Sequence, residues 1–125
     1  MAFSATTPRR LVFVDAHGGA LAALAAGVAR SLGHEARAET TTAEVPWPPE
    51  VADVLAEIGA APVDVTPHTA PAAGVETIRI GHASGEKSPT IDAWLYDGEG
   101  ELERLSAARI ARDRVERFVT KLAAR

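Results

Sequence analysis

Hydrophobic and polar positions switch between two periods along this chain, and each switch marks an element. Leu11-Val12-Phe13-Val14 is an unbroken apolar run of strand length. Asp15 to Ala20 interrupts it with a loop holding Gly18 and Gly19. Leu21, Leu24, Ala25, Val28 and Leu32 then recur at helical spacing, a stripe suited to a sheet, and Gly33 is a stop signal. His34 to Glu39 returns to a period of two, with Ala36 and Ala38 on one side and charges on the other. That pattern predicts a short, partly exposed strand. Thr40 to Val45 reads as loop, closed by Pro46-Trp47-Pro48-Pro49.

Val51, Val54, Leu55 and Ile58 predict a second helix from about Pro49 to Ile58, ended by Gly59. Ala60 to Gly74 carries three prolines and little periodicity, and reads as a loop with at most one short helical turn. Val75 to Ile80 alternates again and predicts a strand, followed by a loop from Gly81 to Pro89. Thr90 to Tyr96 predicts a last strand, and Asp97-Gly98-Glu99-Gly100 is turn chemistry. The final helix, Glu101 to about Ala123, offers Leu105, Ala108, Val115, Phe118, Val119 and Leu122 for burial. Arg109 with Asp113, Arg112 with Glu116 and Asp113 with Arg117 are spaced i, i+4 and read as a solvated face.

Strands that alternate with helices predict an α/β fold with a parallel sheet covered on both faces. The expectation is a small doubly wound three-layer sandwich with a four-stranded parallel sheet of order 2-1-3-4. The Asp15 loop then lies at the switch point, where helix N–H groups face a crevice. One domain is expected over residues 9–125, behind a frayed, disordered N-terminus over residues 1–8.

Composition narrows the chemistry. The formal net charge is −4, which argues against a nucleic-acid binder. Cysteine is absent, so thiolate catalysis, disulfides and thiolate metal sites are excluded. No apolar run approaches the ~20 residues that span a bilayer, and the N-terminus lacks a secretory pattern. A cytoplasmic protein without a cofactor and without membrane contact is expected. Arg9 and Arg10 read as a solvated strand start. Asp15 and His17, with Asp97 as a third ligand, form the one metal alternative. His34, His68 and His82 show no ligand spacing.

The stretch Leu11 to Gly33 resembles the opening of low-molecular-weight protein tyrosine phosphatases and of the arsenate reductases of the same fold. Those begin with an apolar strand, a loop of pattern C-x5-R-S and a helix. Laid on this chain without a gap, Asp15 stands at the nucleophilic cysteine, Leu21 at the phosphate-gripping arginine and Ala22 at the serine. Pro48 to Gly59 is similar to the family's second helix, and Arg109 to Phe118 to its last. Gly81 and Ser88 fall where thioredoxin-coupled reductases carry two further cysteines, while Glu86 and Pro89 match the surrounding pattern. Trp94 and Asp97 resemble the reductases' tryptophan and the family's general acid, with the spacing one residue short and Gly98 for the usual proline.

The resemblance implies the phosphotyrosine phosphatase I-like fold and a degenerate catalytic site. The family's chemistry needs a thiolate and a guanidinium fork. A carboxylate in the cradle repels an oxyanion by ~4 kcal/mol at 4 Å and an effective dielectric of 20. The reading that follows is a catalytically inactive binding or regulatory module, with an unidentified protein or small molecule as partner. Its crevice would involve His17, Gly18, Gly19, Gly81, His82 and Ser88. An Asp15 carboxylate that accepts its own loop's N–H groups would fill the cradle from inside. The alternatives are a hydrolase-type enzyme with metal- or carboxylate-based chemistry on Asp15, His17 and Asp97, and a structural domain that self-associates, as a homodimer, through an apolar helix face.

Overall fold

A computed structural model of the chain describes residues 8–70, 73–81, 90–92 and 100–124. Eight elements follow in order: β1 (Arg10–Asp15), α1 (Ala20–Ser31), β2 (Glu35–Thr40), α2 (Pro49–Ala56), β3 (Val65–Pro67), β4 (Glu76–Gly81), β5 (Thr90–Asp92) and α3 (Glu101–Ala123). The fold is α/β, as the alternation of periods predicts. The sheet is parallel throughout, in the order β3-β2-β1-β4-β5. The four expected strands keep their expected order. A fifth, β3, is added beyond β2, in the segment that reads as loop. It is only three residues long and ends in proline, so neither length nor period announces it. The carbonyl of Thr40 fixes its end by accepting from the N–H of His68 at 2.9 Å.

Register places Leu11 and Phe13 opposite Ala36 and Ala38 on one side and Glu76 and Ile78 on the other. Leu11, Phe13, Ala36, Ala38 and Ile78, with Ile80 and Ile91, form one core with all three helices. The alanine-rich face of α1 is what lets it lie close to the strands: Ala22, Ala25, Ala26 and Ala29 are fully buried. α1, α2 and α3 pack against one another on this face. Among the described residues no helix covers the opposite face, whose register positions are Val12 and Val14, Arg37 and Glu39, Thr77 and Arg79.

Two apolar expectations fail at helix ends. Leu32 lies just past α1 and is 41 % exposed, and Ile58 lies past α2 and is 37 % exposed. Each helix stops before the stripe does, so the last apolar residue turns outward. The charges of α3 also behave differently from a solvated face. Arg109 and Arg112 both donate to Glu57 at the end of α2, at 2.6 Å, and Arg104 donates to Glu50 in the first turn of α2 at 2.5 Å. These arginines fasten α3 to α2. His82, Glu86, Ser88, Pro89, Trp94, Asp97 and Gly98 lie outside the described residues, as does residue range 1–7 of the expected frayed terminus.

Candidate functional site at the Asp15 loop

β1 ends on Asp15 and α1 begins at Ala20, so the intervening loop must turn the chain within four residues. Gly18 (φ 86°) and Gly19 (φ 102°) make that turn in the left-handed region. Both are also tightly enclosed. A Cβ on Gly18 would stand 2.3 Å from Val45 Cγ2, and one on Gly19 would stand 2.7 Å from Val65 Cγ1. β3, which supplies Val65, therefore closes one wall of the loop. The N–H of Val45 donates to the Gly18 carbonyl at 3.1 Å and ties down the segment after β2.

The left-handed pair aims backbone N–H groups inward, the arrangement that forms anion-binding concavities. Here the anion is the chain's own. Asp15 is 2 % exposed. Its Oδ1 accepts from the N–H of His17 at 3.1 Å and of Gly19 at 2.9 Å, and its Oδ2 accepts from the N–H of Ala22 at 3.0 Å. Ala22 is the third residue of α1, whose N-cap position, Gly19, has no side chain to serve it. Asp15 thus does an N-cap's work from seven residues upstream, at the positive end of the helix dipole.

A fourth donor completes the carboxylate's shell. Thr40 Oγ1 lies 2.8 Å from Asp15 Oδ1 and gives it the hydroxyl proton. Thr40 Oγ1 in turn accepts from the N–H of Thr42 at 3.3 Å, and Thr42 Oγ1 accepts from the N–H of Gly18 at 2.9 Å. Thr40, at the end of β2, and Thr42, just after it, therefore belong to the loop's hydrogen-bond network. Periodicity alone marks them as loop. A buried carboxylate is costly unless its lone pairs are filled, and four donors fill these.

The other sequence-selected residues divide. Leu21 is 2 % exposed and part of the core, and Ala22 is fully buried. Neither side chain faces a crevice. His17 is exposed, and its imidazole lies against Gly81 at the end of β4, where a Cβ on the glycine would stand 3.2 Å from Nε2. The loop thus brings His17 to Gly81, while Asp15 is turned inward to its own N–H groups. Among the described residues no group of three or more histidines and carboxylates is arranged to hold a metal.

Sequence reasoning missed one further pair at this edge of the sheet. Glu39, 4 % exposed, accepts at Oε1 from His68 Nδ1 at 2.9 Å and from the N–H of Thr69 at 3.4 Å. The two residues are 29 apart, and only the unannounced strand β3 brings them together.

No family model and no curated protein matches the sequence. Among solved structures the chain is similar to an arsenate reductase in the reduced state, with a TM-score of 0.65 and 18 % identity. The match covers 93 % of this chain and 97 % of that one. At that identity the likeness speaks for the backbone alone, and the chain has the arsenate reductase-like α/β fold.

Proposed function

We propose that this chain is a degenerate relative of the arsenate reductases and low-molecular-weight phosphatases, and that it acts as a binding or regulatory module without their thiol chemistry. The supporting observation is the Asp15 carboxylate. It takes the N–H groups of His17, Gly19 and Ala22, which the resemblance would give to an oxyanion. Leu21, at the position of the gripping arginine, is core. Carboxylate-based chemistry would need an Asp15 oxygen open to a substrate, and the residue is 2 % exposed. The partner is an unidentified protein or small molecule of the cytoplasm.

Titration with arsenate and with phosphate tests this reading, with amide resonances of residues 16–22 as the readout. The wild-type loop should not respond. Asp15→Ala removes the internal acceptor, and its loop should gain a saturable response to either oxyanion. Oxyanion binding by the wild-type loop, or turnover of a phosphate ester that Asp15→Ala abolishes, would overturn it.

A further inference from the structure

At the amino ends of β1 and β2, on the far side of the sheet from the Asp15 loop, lies a cavity of about 580 Å³. Small-molecule sites run roughly 300–1,000 Å³. Arg10, Arg30, Arg37 and His34 line it, with Glu35 as the one acid among the described residues. The chain as a whole carries net charge −4, so this collection of cations runs against the balance of the molecule.

Each basic group retains donors for an acceptor that the described protein does not supply. Arg30 donates only Nε–H, to the Ala36 carbonyl at 2.9 Å. That bond fixes the guanidinium plane and leaves both terminal nitrogens available. Arg37 is exposed and makes no hydrogen bond or ion pair among the described residues. Arg10 pairs with Glu35 at 3.1 Å, but both side chains are largely exposed, and such pairs exchange at little cost. His34 is the most informative. It is 7 % exposed, and its Nδ1 accepts from the N–H of Arg9 at 3.0 Å. An Nδ1 that accepts carries no proton, so the ring proton sits on Nε2, as a donor without a described protein acceptor.

We propose that this cavity binds a small organic phosphate. Three arginines against one glutamate leave a surplus of two positive charges, which matches a phosphate monoester dianion. Guanidinium forks bind phosphoryl oxygens in pairs, and the Nε2–H of His34 adds a directional donor. Leu11 and Val75 supply an apolar wall for the ester's organic part. This site is separate from the Asp15 loop and does not depend on the loop's being closed.

The test is an amide and imidazole NMR titration of the intact chain with phenyl phosphate, and with inorganic phosphate in a second arm. Saturable shifts are expected at residues 10, 11, 34–37 and 75 and at His34 Nε2, with inorganic phosphate binding more weakly. Arg37→Gln should weaken phenyl phosphate binding about tenfold, the value of one charge-assisted hydrogen bond. Arg37 has no described protein partner, so this variant keeps the fold. Arg10→Gln is a second, independent variant at the same wall. Absence of saturation by about 10 mM, shifts confined to residues 16–22, or an unchanged affinity in Arg37→Gln would overturn the site. Equal affinity for inorganic phosphate would overturn the organic part of the ligand.

Discussion

The two ends of the central strands treat their hydrogen-bond donors in opposite ways. At the carboxyl end, the N–H groups of His17, Gly19 and Ala22 and the Thr40 hydroxyl all converge on Asp15. At the amino end, Arg30, Arg37 and His34 line a cavity and hold donors that no described protein group accepts. The fold supplies an inward-facing N–H cradle only at the carboxyl end, where a helix begins. In this sequence that cradle is occupied by the backbone's own neighbour. The cations have collected where the fold supplies nothing. The lesson is that a cradle set by the fold can be filled from within, whereas donors left without a described acceptor are what the proposed phosphate site is argued from.

The sharpest way to break this contrast is to remove one acceptor and one donor and compare. Asp15→Ala strands two buried N–H groups, while the Thr40 hydroxyl keeps the Asp15 backbone carbonyl as an acceptor at 3.2 Å. At ~1–3 kcal/mol for each buried unsatisfied group, a loss of about 3 kcal/mol or more in unfolding free energy is expected. Asp15→Asn should lose less, since the amide oxygen can still accept on one side. Arg37→Gln at the other end should stay within about 0.5 kcal/mol of wild type. Urea denaturation of the three variants checks this. A small effect of Asp15→Ala would mean that the loop does not rely on its carboxylate, and the contrast would fail.

How much of this was legible in sequence depends on the range of each interaction. β1, the glycine loop and α1 are contiguous, and an apolar run followed by Gly-Gly and a helical stripe specifies them locally. Asp15 is legible as an acceptor for the same reason, because the backbone N–H groups it accepts from lie within seven residues of it. Thr40 is not legible, because it is 25 residues away and reaches Asp15 only through β1–β2 register. The Glu39–His68 bond needs β3, which three residues ending in proline cannot announce. On α3 the local pattern misleads. Arg109 and Asp113 have the spacing of an intrahelical pair, yet the guanidinium goes to Glu57, 52 residues earlier. Arg10 reads as a solvated strand start because the cavity that joins it to Arg30 and Arg37 is built from four separate segments.

Two glycines sharpen the comparison with a smaller effect. Gly19 at the carboxyl end and Gly33 at the amino end share a left-handed backbone, φ 102° and φ 93°. A Cβ at Gly19 meets Val65 at 2.7 Å, whereas at Gly33 nothing lies within 4 Å. Gly33→Ala should therefore cost only the backbone term, about 1–2 kcal/mol. Gly19→Ala should cost that plus the displacement of Val65 and of the N–H that serves Asp15. Thermal denaturation of both variants measures the difference. Equal losses would mean that the loop wall at β3 yields easily and does not enclose the cradle.

The smallest effect concerns the arginines that are already spent. Glu57 takes hydrogen bonds from Arg109 and Arg112, and these hold its pKa at about 2, below the ordinary 4.5. The Arg104 hydrogen bond likewise lowers the pKa of Glu50 against the opposing effect of burial. A carboxylate whose folded pKa is depressed releases its proton more readily when folded. Its contribution to stability is therefore complete above about pH 4.5 and is lost as pH falls toward 2. Glu57→Gln should lower stability slightly at pH 7, and its deficit against wild type should shrink between pH 4.5 and pH 2. Glu57 is partly exposed, so salt should also reduce the deficit at pH 7. Arg37→Gln has no paired carboxylate to release, and its stability relative to wild type should not change across the same pH window. If Arg37→Gln instead follows Glu57→Gln, Arg37 is paired in solution, and the amino-end cavity has one donor fewer to offer a ligand.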